Sequence, residues 1–333
     1  MIQQSPTAPR SRLVSTGRFN PPRVMTNHEL ETLVDTNDEW IRTRTGIRER
    51  RIADRETGAS DMAAAAARIA MERAGVEAND VDMIVLSTAT PDRLLPSTAC
   101  DVQALLGAKN AAAYDFATAC SGFLYGLSLA DAHITAGQAE TVLVLATEKM
   151  SSIVDWTDRT TCVLFGDGAG AAIVQRAADE RGILSGYMKS DGTLAELLWR
   201  PGGGTRLPLD IQVLDDRSHY VKMAGPEVFK SAVRAMCEAA ETALRRAGVT
   251  ANEIDLLVPH QANMRIIEAT ARYAGIPMDK VFVNVDRYGN MSSASIPVAL
   301  DEAVEQGRCG PGSLVLMVAF GAGFTWAANV VRL

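Results

Sequence analysis

Shifting the chain by 173 residues lays Ala70 to Val85 (AMERAGVEANDVDMIV) on Ala243 to Val258 (ALRRAGVTANEIDLLV), with nine of sixteen positions identical. A match that dense marks an internal repeat, and a repeat of one β/α unit restricts the fold to two copies that bury a shared core. The register persists. At a shift of 172, Thr141 to Ala146 falls on Ser313 to Val318 and the segment after Cys120 falls on Ser295 to Val304; Phe165-Gly166-Asp167-Gly168 then resembles Phe320-Gly321-Ala322-Gly323. The chain therefore divides into residues 1–178 and residues 179–333, each read as one α/β half.

The local pattern fits such a unit. Ser60 and Asp61 offer a cap for an Ala-rich helix from Met62 to Ala74, and Gly75 ends it. Val81 to Ser87 (VDMIVLS) is a continuous apolar strand, as in a parallel sheet covered on both faces. Ala111 to Ala117 reads as a short buried strand. Helices are expected near Asn27 to Val34 and Asp38 to Thr43, residues 1 to about 12 look disordered, and the stretch from Arg176 to Lys222, with Pro201-Gly202-Gly203-Gly204, has no clear counterpart and reads as a pocket wall or lid.

A repeat of this kind says where chemistry can occur. In open α/β sheets ligands bind beyond the carboxyl ends of strands, and a pseudo-twofold brings equivalent ends together. Cys120 lies between the strand ending near Ala117 and an amphipathic helix (Leu124, Leu127, Ala130, Ile134), so it is expected in that helix's first turn. Helix-start amides and the helix dipole favour an anion, which would stabilise a thiolate there. By position alone Cys120 could equally be a small core residue. Its partners favour a nucleophile: His260 follows the repeat of Val81 to Leu86, and Asn290 maps onto Thr118, two residues before Cys120. Singly, the histidine is a structural hydrogen-bonder and the asparagine a turn former. Together they are neutral donors suited to an oxygen that becomes negative.

Composition excludes several alternatives. A net charge of -7 argues against nucleic-acid binding. No apolar run is long enough to span a bilayer and the first dozen residues lack a signal-peptide core, which points to the cytoplasm and away from membranes. The five cysteines are odd in number and form no CxxC pair, so neither a disulfide framework nor a metal site is expected. Arg42, Arg44, Arg48, Arg50 and Arg51 crowd in after Trp40. Such a patch is either a solvated loop or a place where arginines meet phosphates and tryptophan stacks on a base. Gly166-Asp167-Gly168-Ala169-Gly170 lacks the GxGxxG spacing of a dinucleotide loop.

Taken together, Thr118-Ala119-Cys120-Ser121-Gly122, Pro259-His260-Gln261-Ala262-Asn263, Tyr288-Gly289-Asn290, Phe165 to Gly170, and Asp38-Glu39-Trp40 with Arg44-Thr45-Gly46-Ile47-Arg48 resemble the motifs of the β-ketoacyl-acyl-carrier-protein synthase III family. The resemblance runs from about residue 13 to the C-terminus. It implies a thiolase-like fold of two βαβαβαββ halves in five layers, α-β-α-β-α, usually as a homodimer, and an initiating condensing enzyme of type II fatty acid synthesis. It further implies that Cys120 is acylated by a short acyl-CoA, acetyl-CoA first, before malonyl-acyl carrier protein loses carbon dioxide and attacks. His260 and Asn290 would hold the enolate, and the amides of Cys120 and Ala322 would form the oxyanion hole. Coenzyme A would meet Trp40, Arg44, Thr45, Arg159 and Asn263 as a substrate, with no tightly bound cofactor. The carrier protein would meet residues Gln261, Ala262, Asn263, Met264 and Arg265, with Lys230 and Arg272 as basic contacts to its acidic surface. The acyl pocket would be built by Phe229, Phe320 and Leu95, the last contributed across the dimer.

Three departures stand out: Ala322 and Thr160 where the family commonly has glycine, and Leu95 where some members have phenylalanine, which suits a longer or branched starter. A relative on the same fold, an acyltransferase or a ketosynthase of secondary metabolism with such a starter, is the near alternative, and two other classes compete. A cysteine hydrolase also uses Cys, His and Asn in that order, but the CG[SA]C[WY] pattern is missing here. A scaffold that has lost activity would leave Cys120 unacylated.

Overall fold

The computed structural model describes residues 11–333. Two sheets of the same design lie within it. The first is formed by β1 (Ser11–Phe19), β2 (Met83–Ser87), β3 (Ala112–Phe116), β4 (Thr141–Lys149) and β5 (Asp167–Arg176), in the order β1-β5-β4-β2-β3. The second is formed by β6 (Gly182–Ser190), β7 (Leu256–Pro259), β8 (Leu314–Gly321) and β9 (Thr325–Arg332), in the order β6-β9-β8-β7. β4, β2 and β3 run parallel, as do β8 and β7; β5 with β1 and β4, and β9 with β6 and β8, are antiparallel. Where β3 flanks β2, the second copy keeps only a parallel bridge from Leu257 to Val281.

The helices occupy three layers. Gly122–Thr135 and Ser295–Glu305 lie between the sheets, and Phe123, Leu127, Ile296 and Leu300 pack there with Val144 of β4 and Met317 of β8. Ala59–Ala74 and Thr98–Leu106 cover the outer face of the first sheet, while Gly225–Ala247 and Met264–Ala274 cover that of the second. This is the α-β-α-β-α order. Ala-rich helix faces permit close approach: a Cβ on Gly17 of β1 would stand 2.3 Å from the carbonyl oxygen of Ala66.

The repeat keeps one register through the functional region. A shift of 173 sets β2 on β7, β4 on β8, and the 3-10 turn Ala119–Ser121 on Ser292–Ala294, whose first residues share a φ of 46°. Asn290 therefore corresponds to Ala117, and the offset of 172 is one residue short at this point.

Other differences have local causes. Helix Ala59–Ala74 begins one turn early, because the Asp61 carboxylate accepts the Gly58 N–H at 2.8 Å. The helix from Asn27 stops at Leu30, and the one from Asp38 runs to Thr45 before Gly46 at φ 82°. Among the described residues β3 has no neighbouring strand on one side, and it is half-exposed where burial was expected. Ser11 and Arg12, expected to be disordered, belong to β1, while residues 1–10 lie outside the described residues. The middle of the chain does contain a counterpart: β6 pairs with β9 as β1 pairs with β5, and only residues 191–224 are extra.

Candidate active site

Cys120 sits in the 3-10 turn just before helix Gly122–Thr135, where the sequence placed it in the helix's first turn. The approach is tight. A Cβ on Gly321 would fall 2.5 Å from the Cys120 nitrogen, and one on Gly122 would fall 1.7 Å from Ser87 Oγ. The thiol donates to Ser292 Oγ at 3.5 Å. Burial pushes its pKa up to about 12, against a smaller downward pull from Ser292. The expected resting thiolate is thereby corrected: loss of water outweighs the helix start, and the sulfur rests as a thiol.

His260 follows β7, its N–H donating to the Val318 carbonyl at 2.8 Å. Burial pulls its pKa down to about 3, so the ring is neutral. Asn290 is fixed on three sides. Its N–H donates to Leu164 O (2.8 Å), its carbonyl accepts from Gly166 (3.0 Å), and its Oδ1 accepts the Ser292 N–H (2.8 Å). That leaves the amide NH2 as its remaining donor.

All three side chains line one cavity of about 680 Å3. Its buried apolar wall includes Phe165, Met236 and Phe320, with Phe229 half-buried and Leu198 and Met223 contributed by residues 191–224. Toward solvent it is lined by Trp40, Arg44, Thr160, Asn263 and Arg265, with the buried Thr45 beside them. Asn263 caps helix Met264–Ala274 and donates to the Arg44 carbonyl at 3.1 Å, which ties the two sides of the mouth together. Arg159 stacks on Trp40, its guanidinium carbon 4.6 Å from the ring centroid, and reaches Asp35 at 3.5 Å.

The remaining expected residues divide. Ala262 lines the cavity, and Met264 packs against Gly46. Arg265 also borders a neighbouring groove with Lys230 and Arg272, both exposed, so these three cations share one surface. Gln261 does not reach it. Its amide is fully buried, donating to the Pro259 and Phe282 carbonyls and accepting from Asn284 and Val285 N–H, so it braces the loop and is corrected from a carrier contact. Leu95 lies outside its own chain's cavity and is 85% exposed. Ala322 follows Gly321, whose backbone abuts Cys120. Arg50 leaves the basic patch altogether: it is wholly buried, donating to the carbonyls of Met25 and Val163 and to Asn27 Oδ1.

Sequence reasoning passed over Ser292 and Glu148. Ser292 was findable, since the repeat pairs it with Ala119 beside the cysteine. Glu148 ends an apolar strand and carries no motif of its own.

Two family models match the chain: "3-Oxoacyl-[acyl-carrier-protein (ACP)] synthase III" over residues 114–192 and its C-terminal counterpart over residues 244–333. A curated β-ketoacyl-[acyl-carrier-protein] synthase III of Symbiobacterium thermophilum is 52% identical, with 95% of this chain and 96% of that protein covered. One of Caldanaerobacter subterraneus is 49% identical over 96% and 97%. The crystal structure of 3-oxoacyl-[acyl-carrier-protein] synthase III from Aquifex aeolicus superposes with a TM-score of 0.91 at 48% identity, covering 97% of this chain and 100% of that one.

Proposed function

The chain belongs to the β-ketoacyl-acyl-carrier-protein synthase III family, and from that premise we propose that Cys120, His260 and Asn290 carry out its decarboxylative condensation. It is an acyltransferase that joins a short acyl-CoA to malonyl-acyl carrier protein, giving a 3-oxoacyl-acyl carrier protein and initiating fatty acid synthesis. The starter we propose is acetyl-CoA. The halves 1–178 and 179–333 supply the nucleophile and the two donors respectively.

One observation carries this assignment: a buried thiol, a neutral imidazole and an oriented amide share a cavity whose mouth bears Trp40, Arg44 and Asn263. Trp40 and Arg159 present a flat, cationic face suited to the adenine and phosphates of coenzyme A, with Thr45 beside it. The thioester carbonyl then meets the Cys120 sulfur. The new C–S bond displaces coenzyme A, which departs with the thiol proton. The carbonyl oxygen is negative in between, and the amides of Cys120 and Ala322 are its proposed donors.

Malonyl-acyl carrier protein enters next, steered by Arg265, Lys230 and Arg272. Its carboxylate leaves as carbon dioxide, and the bonding pair becomes an enolate whose oxygen accepts from His260 and Asn290. Neutral donors suit this step, because burial that holds His260 unprotonated also strengthens its hydrogen bond to an anion. The enolate carbon attacks the acyl carbonyl, the acyl C–S bond breaks, and the Cys120 sulfur leaves as a thiolate that regains a proton from solvent. We place the enzyme in the cytoplasm as a homodimer.

Intact-protein mass spectrometry after mixing with a panel of acyl-CoAs tests this reading. The wild type is expected to gain one acyl mass and Cys120→Ser none; a gain that survives the substitution overturns the assignment. Release of free acid without carbon dioxide would make the protein a hydrolase.

A further inference from the structure

Glu148, the last residue but one of β4, is completely buried where the two copies meet. It accepts from donors on both. From the loop after β2, its Oε2 takes the Ala89 N–H and the Thr90 hydroxyl, each at 3.0 Å. From the second copy, its Oε1 takes the Ser293 hydroxyl at 2.7 Å and the Ser293 N–H at 3.4 Å. Four hydrogen bonds thus converge on one side chain, two from the loop after β2 and two from the Ser293 turn, and the established chemistry uses none of them.

The repeat shows what this does. Under the shift of 173, Ser293 corresponds to Cys120 and Glu148 to Gly321. In one copy a carboxylate fills the space against the turn, and in the other a glycine abuts the nucleophile's own nitrogen. One crevice of the pair is thus locked and the other open. The locked turn faces the open one directly: Ser292, at φ 46°, receives the Cys120 thiol on its hydroxyl and gives its N–H to Asn290. Two of the three reacting side chains therefore take their orientation from one serine, and that serine's turn takes its own from Glu148.

We propose that Ser292 and Glu148 are positioning residues of the condensation, Ser292 by holding the Cys120 sulfur and the Asn290 amide in one arrangement, and Glu148 by fixing the turn that carries it. This rests on the reading of Cys120 as nucleophile. The titratable groups around the thiol are Glu148 and His260, which shares the cavity. Lys149 turns away to the carbonyls of Asp54, Arg55 and Thr57, and Asp167 turns to Ser151 and the Ala53 N–H.

The experiment compares Ser292→Ala, Glu148→Gln and Glu148→Asp for kcat, KM and iodoacetamide alkylation of Cys120 from pH 7 to 10. Misplacing a reacting group should lower kcat roughly tenfold to a hundredfold in Ser292→Ala and Glu148→Gln, with KM for acyl-CoA within about twofold. Glu148→Asp should recover part of the rate. Alkylation should move in opposite directions: slower in Ser292→Ala, which loses the hydroxyl that supports the thiolate, and faster in Glu148→Gln, which loses the carboxyl group that opposes ionisation of the thiol. Folded variants with wild-type kcat overturn the proposal, as does a rate lost only in proportion to folded protein with unchanged alkylation. Alkylation needs no acyl substrate, so it decides this point even if no thioester acylates Cys120.

Discussion

A thiol held near 12 and an imidazole held near 3 in one cavity cannot rest as an ion pair. Reactivity must then come from the bound thioester and the donors around its oxygen, which stabilise charge only as it forms. The same burial has a consequence for stability. Unfolded, His260 titrates near 6.5; folded, it stays neutral down to about 3, so between these values the unfolded chain binds a proton that the folded one excludes. Stability is therefore lost as pH falls through that window, at about 1.4 kcal/mol per unit for an ideal single site. Urea melts of the wild type and His260→Gln at pH 7 and pH 5 should show the variant losing less on acidification; equal losses would mean that His260 is hydrated. Gly321 gives a steric counterpart. Because a Cβ there would press on the Cys120 backbone, Gly321→Ala should cost about 1–3 kcal/mol and depress kcat at least tenfold, read by thermal melting and steady-state assay.

Among the elements, those with a strong period or a repeat were legible. The Ala-rich helix, the apolar strand β2 with its repeat β7, and the position of Cys120 between strand and helix all follow from the repeat, spacing and capping. What spacing could not carry was depth. Gln261 and Arg50 look like exposed polar side chains in the sequence, yet tertiary contacts bury both and give their hydrogen bonds to backbone carbonyls. β3 reads as a core strand, but an apolar run does not reveal which strand ends a sheet. Residues 191–224 were legible only as a loop, because what holds them is a long-range pair: Arg217 binds the buried Asp155 carboxylate in a two-pronged arrangement of 2.5 and 2.6 Å. That pair anchors a segment contributing Leu198 and Met223 to the cavity wall. Arg217→Ala should loosen it, seen as severalfold faster tryptic cleavage within residues 200–218 and a raised KM for acyl-CoA, with kcat changed far less. Unchanged cleavage would show that the segment is held by its apolar contacts alone.

At the scale of the whole molecule, the two copies have diverged most at the edge. The second sheet ends in a single bridge, whereas the first ends in β3, whose outer side has no strand partner among the described residues. An exposed edge of that kind invites pairing with another chain unless it is covered. Nearby on the same half, Leu94 and Leu95 are each 85% exposed and Leu105 is 43% exposed, an apolar surface that water disfavours. A second copy laid edge to edge would cover β3, and the leucine loop would then be free to reach toward the partner's cavity. Native mass spectrometry should therefore give twice 35.6 kDa, and Ala113→Pro, which places a ring on the edge strand, should shift the population toward monomer. Leu95→Phe makes the test specific to function. If Leu95 closes the partner's acyl pocket, the larger ring should lower turnover of long or branched acyl-CoAs relative to acetyl-CoA while the dimer persists. A dimer whose starter profile is untouched by Leu95→Phe would mean that residues of a single chain alone set the pocket's depth.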